Sequence, residues 1–338
     1  MVKKVRITKK NVYEEVFELG WINAALFAEV ALDMGWTVHF FHKPYYVLIE
    51  KGVRRYFFIG AATPLNTFSS SFAADNKFIT NTQLAAAGVP VSKSIRVHKR
   101  DLASGDLDLR GLRFPLVIKP NKGTAGGEGI RTDIRDKKTL KRMVKSALQK
   151  YEYVLIEEFH KGLNDYRILV FDGKVLGVTW RRPAYVVGDG RQSVLQLISE
   201  RERMRKVHPG IVYKKIGIDA EMKYLLRQQR MTLQSVPASG CEVRLRNVCN
   251  IGTGGTVEDA TNDISEANKR IATDAVQALG LRFAGVDLLC EDVSKSAKRT
   301  RGVVVEVNHQ PGLSMHHFPH AGRPRNIART VMRALLEK

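Results

Sequence analysis

The chain has 338 residues, 44% hydrophobic and 26% charged, an ordinary globular composition with room for more than one lobe. Its 55 Lys and Arg against 34 Asp and Glu give a formal net charge of +21, a field that draws anions such as nucleotides, polyanionic peptides or nucleic acid. No apolar run approaches the roughly 20 residues that span a membrane, and the basic N-terminus lacks the apolar stretch of a secretory signal.

Three cysteines, Cys241, Cys249 and Cys290, without CxxC spacing, read as reduced thiols of a cytoplasmic protein. The cations are dispersed, with no helix-turn-helix or RNA-recognition signature, which favours anionic substrates over nucleic acid. For many individual Lys and Arg residues a plain solvated surface explains the charge equally well.

WINAALFAEVALDMG (21–35) carries helical apolar spacing and stops at Gly35. TVHFF (37–41) and YYVLIE (45–50) read as strands, and Lys51-Gly52 turns the chain into VRRYFFIG (53–60). These make a small α/β lobe. Residues 74–88 read as one helix stopped by Gly88, and SIRV (94–97) as a strand. FPLVIKP (114–120) reads as a buried strand ending in Lys119, then NKGTAGGEGI (121–130) as a loop with Gly123, Gly126, Gly127 and Gly129.

Residues 135–150 form an amphipathic helix; YVLIEEF (153–159) and YRILVF (166–171) are strands. Asp172-Gly173 turns the chain into KVLGVTW (174–180). Residues 183–240 are polar and partly helical, CEVRLR (241–246) is a strand, and 263–280 a helix ended by Gly280. GVDLLCED (285–292) and VVVEVNHQPG (303–312) carry the final strand pair, and a helix closes the chain at 325–338. The order predicts an α+β protein with mixed sheets in several lobes, not one parallel sheet.

A lysine at a strand end can sit against phosphates, and glycines let backbone N–H groups approach them. The loop is not a P-loop, nor a dinucleotide fingerprint opening a helix; alone it reads as a turn. Asp287, Glu306 and Asn308 add hard oxygen ligands of the kind magnesium takes, and Glu306 and Asn308, two apart on a strand, share one side. Cys290 reads as a core residue. His309, His316, His317 and His320 read as substrate contacts or surface histidines rather than zinc ligands.

The order of a helix with Lys77, then VIKP, the glycine loop, VLIEEF, DYRILV, GVD and EVNHQPG resembles the ATP-grasp superfamily of carboxylate–amine ligases. More narrowly, residues 165–198, 235–261, GVDLLCED and EVNHQPGL are similar to the ATP-grasp domain of cyanophycin synthetases, so that the resemblance covers about residues 74–335. It implies an ATP-grasp fold, two α+β lobes gripping ATP, preceded by an N-terminal lobe over 1–73. The first subdomain, with its glycine-rich lid, would span 74–160. The second, with metal and substrate sites, would span 161–338.

By the same resemblance Lys77 and Lys119 would contact ATP phosphates under the lid glycines Gly126 and Gly127. Glu157, Glu158, Phe159 and His160 would form the hinge against adenine, and Asp165 would hold the ribose. Arg167 and Arg181, with Lys119, would serve catalysis near the γ-phosphate. Asn250, Thr253, Gly254 and Gly255 would make a substrate loop, and Asp287, Glu306 and Asn308 would bind magnesium, two ions with Mn2+ able to substitute. Full cyanophycin synthetases carry a further Mur-ligase-like part with its own P-loop, a motif this sequence lacks. Asn250-Ile251-Gly252-Thr253-Gly254-Gly255 loses a family serine, and Asn308-His309-Gln310-Pro311-Gly312 replaces Asn-Ala-Ala-Pro-Gly.

The expectation is a stand-alone, ADP-forming ligase that joins an amino-acid or acidic-peptide carboxylate to an amine through an acyl phosphate. The sequence itself does not give an oligomeric state; the resemblance is to enzymes that are often homo-oligomers, dimers or tetramers. A small-molecule ligase of the glutathione-synthetase kind, a nucleic-acid-binding protein with a degenerate ATP-grasp fold, and a regulatory ATP binder stay open as alternatives.

Overall fold

The computed structural model describes residues 3–17, 22–42, 46–102, 107–122, 128–208, 210 and 215–337. In chain order the elements are β1 (Lys3–Ile7), α1 (Val12–Phe17), α2 (Ile22–Asp33), β2 (Thr37–His42), β3 (Tyr46–Lys51), β4 (Arg54–Phe58), α3 (Phe68–Asp75), α4 (Lys77–Ala86), β5 (Ser94–His98), β6 (Leu116–Pro120), β7 (Arg131–Ile134) and α5 (Lys137–Ala147). There follow β8 (Tyr153–Glu158), β9 (Asn164–Phe171), β10 (Lys174–Arg182), β11 (Tyr185–Val187), α6 (Val194–Lys206), α7 (Ala220–Gln228), β12 (Glu242–Arg244), β13 (Thr256–Asp259), α8 (Glu266–Ala278), β14 (Phe283–Cys290), β15 (Val303–Asn308), α9 (Ser314–His317) and α10 (Ile327–Leu336). The α+β expectation holds.

The chain divides into two compact units. The first comprises Met1–Ala61, Thr179–Ala260 and Gly312–Lys338; the second comprises Ala62–Val178 and Thr261–Pro311. In the first, β1 to β4 form an antiparallel sheet in sequence order. Helix α2 is alanine-rich and buries Ala24, Ala25, Ala28 and Ala31 beside Leu26 and Phe27; such small side chains permit close helix packing. Phe27 meets Phe58 of β4 with ring centroids 5.2 Å apart. Arg54 Nη2 donates to the Leu336 carbonyl at 3.0 Å, satisfying an acceptor at the end of α10. A second core of this unit joins the β11–β12 pair to α6 and α7 through Val186, Val194, Ile198, Met222, Leu226 and Val243. Ser193 and Gln196 form a capping box at the start of α6.

In the second unit, β5, β8, β6 and β7 form an antiparallel sheet in that order. Ile95, Ile118 and Ile156 line its core face together with Leu140 and Val144 of α5. Helix α5 is started by Asp136, whose side chain accepts from the Thr139 N–H. The other sheet of this unit carries β9, β14 and β15 side by side, all antiparallel.

The helix expected over 74–88 is two helices. Asn76 is extended (φ −93°, ψ 102°); its N–H closes α3 on the Ala73 carbonyl, and its side chain accepts from the Ile79 N–H to open α4. Asparagine competes with the backbone for such bonds and so favours caps over helix interiors. The break leaves Lys77 as the first residue of α4. Strands β1, β7 and β13 were not legible as strands, because four or five residues rich in charge carry too little alternation.

Asn66 ties the start of β14 to the chain leaving β15. Its Oδ1 accepts from the Arg282 and Phe283 N–H groups at 2.9 and 3.0 Å. Its Nδ2 donates to the Phe283 and His309 carbonyls at 2.7 and 3.1 Å. Asn66→Ala strands four backbone groups. We expect a loss of about 2–4 kcal/mol, from a net value near 1 kcal/mol per bond, read as a fall in the urea midpoint at unchanged m; a midpoint equal to the parent's would remove Asn66 from this role.

Candidate functional site

The second unit brings together three cation–carboxylate pairs from the residues singled out in the sequence. Lys119, near the end of β6, places its Nζ 2.8 Å from Glu157 Oε2 of β8 and 3.2 Å from the Val305 carbonyl of β15. Both partners are almost wholly buried, at 7% and 3% exposure. Lys77, the first residue of α4, places its Nζ 2.8 Å from Glu306 Oε1. Arg167 makes a two-point hydrogen bond through Nε and Nη2 to the carboxylate of Asp287, and this pair too is buried.

Sheet register explains the arrangement. Glu306 stands opposite Asp287, and Asp287 opposite Arg167, across β15, β14 and β9. Directly opposed residues project to the same face, so one transverse row carries carboxylate, carboxylate and guanidinium. The neighbouring row is Asn308, Gly285 and Leu169. Asp165, two residues before Arg167 on β9 and opposite Leu289, shares the face as well. A register irregularity between Asp287 and Leu288 lies just beyond the row. It leaves Glu306 and Asn308 on one side, as expected from their spacing.

Sequence reasoning missed two residues that build this site. Gly285 is one. An added Cβ there would lie 2.8 Å from Arg167 Cδ and 3.1 Å from both Arg167 Nη1 and Pro311 Cβ. The missing side chain is the space in which the arginine lies. Asn121 is the other, and it is buried. Its carbonyl accepts from the Lys77 N–H at 2.9 Å and its Oδ1 from the Phe78 N–H at 3.0 Å. One residue thus couples the strand of Lys119 to the first turn of the helix that presents Lys77. A signal existed in VIKPN, but an Asn after a strand commonly reads only as a turn.

The expected hinge residues lie together. Glu157 is taken by Lys119; Glu158 Oε1 accepts from the Arg113 N–H at 3.2 Å, and the Phe159 N–H donates to the Pro115 carbonyl at 2.9 Å. His160 lies 2.7 Å from Ser92 Oγ, and burial holds its pKa below the ordinary histidine value against the opposing charge of Glu158. Gly123, Gly126 and Gly127 lie outside the described residues.

The remaining expected residues belong to the first unit. Arg181 lies on β10 opposite Val257 of β13. Asn250 organises a tight turn: its Oδ1 accepts from the Gly252 N–H at 2.8 Å, and its carbonyl accepts from Gly255 at 2.8 Å and from Thr253 at 3.2 Å. Gly254 sits at φ +105°, and a Cβ on Gly255 would lie 2.7 Å from the Arg182 carbonyl, so neither position takes a side chain without rebuilding the turn. Two arginines of α6 brace the turn's carbonyls, a feature the sequence reading passed over as part of a polar stretch. Arg205 Nη2 donates to Ile251 and Gly252 at 3.0 and 3.1 Å, and Arg201 Nη2 to Gly254 at 3.0 Å.

The late histidines are not plain surface groups. His316 is buried. His317 Nε2 accepts from the Ala328 N–H and His320 Nδ1 from the Val257 N–H, which requires the neutral ring; burial pushes both down to about 4. Among the described residues no three His, Cys, Asp or Glu side chains converge as a metal cluster. Cys290 is buried in β14, as expected, and burial raises its thiol to about 12.

No helix among the described residues is long and apolar enough to cross a membrane. Residues 74–195 match the family model of the RimK-like ATP-grasp domain. Cyanophycin synthetase of Nostoc sp. is 38% identical over 261 residues, covering 77% of this chain and 29% of that protein. The glutathione biosynthesis bifunctional protein GshAB of Pasteurella multocida is 31% identical over 287 residues, covering 82% of this chain and 37% of that protein. The crystal structure of a bifunctional glutathione synthetase from Pasteurella multocida superposes with a TM-score of 0.61 at 28% identity, covering 86% of this chain and 40% of that one. The chain therefore spans about a third of the length of these relatives. Three cation–carboxylate pairs within one α+β unit, a family match over 74–195 and a shared fold lead to one statement: residues 74–195 match the RimK-like ATP-grasp domain, and the chain is homologous to cyanophycin synthetase and to GshAB.

Proposed function

We propose that the chain is an ATP-dependent carboxylate–amine ligase, forming an amide or peptide bond through an acyl phosphate and releasing ADP and phosphate. The observation that carries this reading is the set of three ion pairs, Lys119–Glu157, Lys77–Glu306 and Arg167–Asp287, gathered in one unit on strands and the start of α4. Three cations and three carboxylates balance. ATP with two magnesium ions is also close to neutral, so it can enter by exchange of partners, with no net charge buried. Lys77 and Lys119 would turn from carboxylates to phosphates, and Glu306 and Asp287 would turn to the metal.

The donor set fits a hard divalent cation. Two carboxylates and an amide share one face of the sheet, and the Asn308 Nδ2 atom is buried without a hydrogen-bond partner among the described residues. With the amide turned over, its oxygen would face the same place and accept a cation. Bound there, magnesium would draw charge from the phosphoryl oxygens as the substrate carboxylate attacks. Asp287 holds Arg167 at two points until the metal takes that carboxylate, and the released guanidinium would then meet the γ-phosphate. Glu157 to His160 would hold adenine, Asp165 the ribose, and Gly126 and Gly127 the lid that keeps water from the acyl phosphate. Arg181 and the Asn250–Gly255 turn are the proposed substrate contacts.

The substrates proposed are an amino acid or acidic peptide as acyl donor and an amino acid or amine as nucleophile. The relatives named as synthetases of cyanophycin and glutathione support this class without choosing within it. The deciding experiment is ADP release with Mg-ATP and pooled amino acids plus acidic peptides, with mass spectrometry of products. ADP formed only with a substrate pair, and a product one water lighter than their sum, establishes the ligase; no ADP from any pool counts against it.

Four substitutions test the site. Glu306→Gln should lower kcat by roughly 100-fold or more, the scale for removing one charge-stabilising group, in a protein that still folds but melts somewhat lower, because Lys77 loses its carboxylate partner; full turnover would remove Glu306 from the metal set. Lys119→Ala should weaken ATP binding by calorimetry by about tenfold or more and lower stability, because it leaves Glu157 buried and unpaired, a loss of about 3–5 kcal/mol. Adding Glu157→Gln should restore stability but not affinity; recovery of affinity would reduce Lys119 to a structural role. Gly285→Ala should displace Arg167 and depress kcat with a stability cost of about 1–3 kcal/mol, as for overpacking; normal turnover would show that the arginine need not lie there.

A further inference from the structure

Among the described residues, strand β5 (Ser94–His98) is the edge of its sheet and pairs with β8 alone. The direction of its backbone groups follows from two hydrogen bonds. The Tyr153 carbonyl of β8 accepts from the Asn121 N–H on the β6 side, at 3.2 Å. The His98 N–H, opposite Tyr153, donates instead to Asp101 Oδ2 at 2.7 Å. His98 and Tyr153 are therefore a non-hydrogen-bonded pair, and antiparallel pairs alternate. Ile95 and Val97 bond to β8. The N–H and C=O groups of Ser94 and Arg96 point out from the open edge, where they meet no partner among the described residues.

A cavity of about 430 Å³ runs along this edge, lined by Lys93, Ser94, Ile95 and Arg96 with Phe78, Arg110 and Leu112. A second, of about 360 Å³, continues past Arg96 to His98, Arg100, Asp101, Glu152 and Tyr153. Lys93, Arg96, Arg100 and Arg110 outnumber Asp101 and Glu152, and all four cations are exposed. Charged side chains on an edge often serve only to repel other strands. Arg96 is not a freely swinging gatekeeper: its guanidinium is held between Phe78 and Tyr153, 4.7 and 4.8 Å from the ring centroids.

We propose that the open edge of β5 is a docking site for an extended acidic peptide, which adds to the sheet as a further strand while Lys93, Arg96, Arg100 and Arg110 take its carboxylates. Strand addition supplies affinity through main-chain bonds and selectivity through alternate side chains. The edge presents alternating N–H and C=O groups, which match a peptide backbone and not a phosphodiester. The two rings that could stack on a base are occupied by Arg96, and His98 lies tilted against Tyr153 at 4.8 Å. None of these residues belongs to the lysine–carboxylate site. Binding here is a property separate from turnover and stands or falls without the ligase reading.

The test is fluorescence anisotropy of the full chain with a labelled ten-residue Asp/Glu peptide, a Gly/Ser peptide of equal length and a single-stranded oligodeoxynucleotide. The acidic peptide should bind, more weakly as salt rises, and the Gly/Ser peptide should not. Ser94→Pro removes an edge N–H without touching the β8 ladder or any charge, a change sheet edges tolerate. It should raise Kd about three- to tenfold, the value of one hydrogen bond. Arg110→Glu should raise Kd by at least as much. Melting curves confirm that each variant folds; should Ser94→Pro melt early, Arg110→Glu decides. No binding of the acidic peptide, an affinity that the folded variants leave unchanged, or tighter binding of the oligodeoxynucleotide would each overturn the proposal.

Discussion

The two-point bond between Arg167 and Asp287 is the constraint on which the candidate site depends. Both groups are buried, and a buried charge without its partner costs several kcal/mol, so neither can leave unless something of matching charge arrives. Their strands lie side by side with the two residues in direct register, and Glu306 continues the row on the next strand. The absence of a side chain at Gly285 gives the guanidinium its place. A sheet can hold charges this firmly because its backbone leaves the side chains little choice of direction.

The lysines obey the same logic from other elements. Lys119 lies on a strand whose opposite face is a core of Ile118, Ile156 and Leu140. Alternation commits the lysine to the far face, where Glu157 neutralises it. Lys77 is aimed by a helix start, and that start is held by Asn76 within the helix and by Asn121 from the strand of Lys119. Neither asparagine belongs to an ion pair of the site. Each converts a backbone donor that a helix end leaves open into a fixed direction for a neighbouring charge.

In the first unit a buried and a half-buried arginine do structural work of a different kind. Arg201 and Arg205 spend their donors on the carbonyls of the 250–255 turn, and Arg205 is further paired with Glu202 at 2.6 Å. A turn whose carbonyls are held from one side keeps its shape without secondary structure of its own. The net charge of +21 is therefore not all surface field. Part of it is consumed inside the protein as carbonyl braces and ion pairs, and part remains exposed, as along the edge of β5.

The chain's periodic segments were readable directly: the helix at 22–33, the strands around Lys119 and Glu157, and the final pair bearing Asp287, Glu306 and Asn308 came close to their structural bounds because apolar spacing dictates which face must be buried. Lys119, Asp287 and Glu306 stood out for the same reason, as charges within apolar strands. Local sequence alone did not show the break at Asn76, the space at Gly285, the coupling through Asn121 or the braces from α6. The last three are contacts between segments distant in sequence, whereas the break at Asn76 is a local cap, bonded to Ala73 and Ile79, that the helical spacing over 74–88 masked. Sequence by itself determined which side chains face away from the core, since period and polarity are local. Only the tertiary structure decided which of those side chains meet, because register across strands and the clearance beside them are properties of packed neighbours.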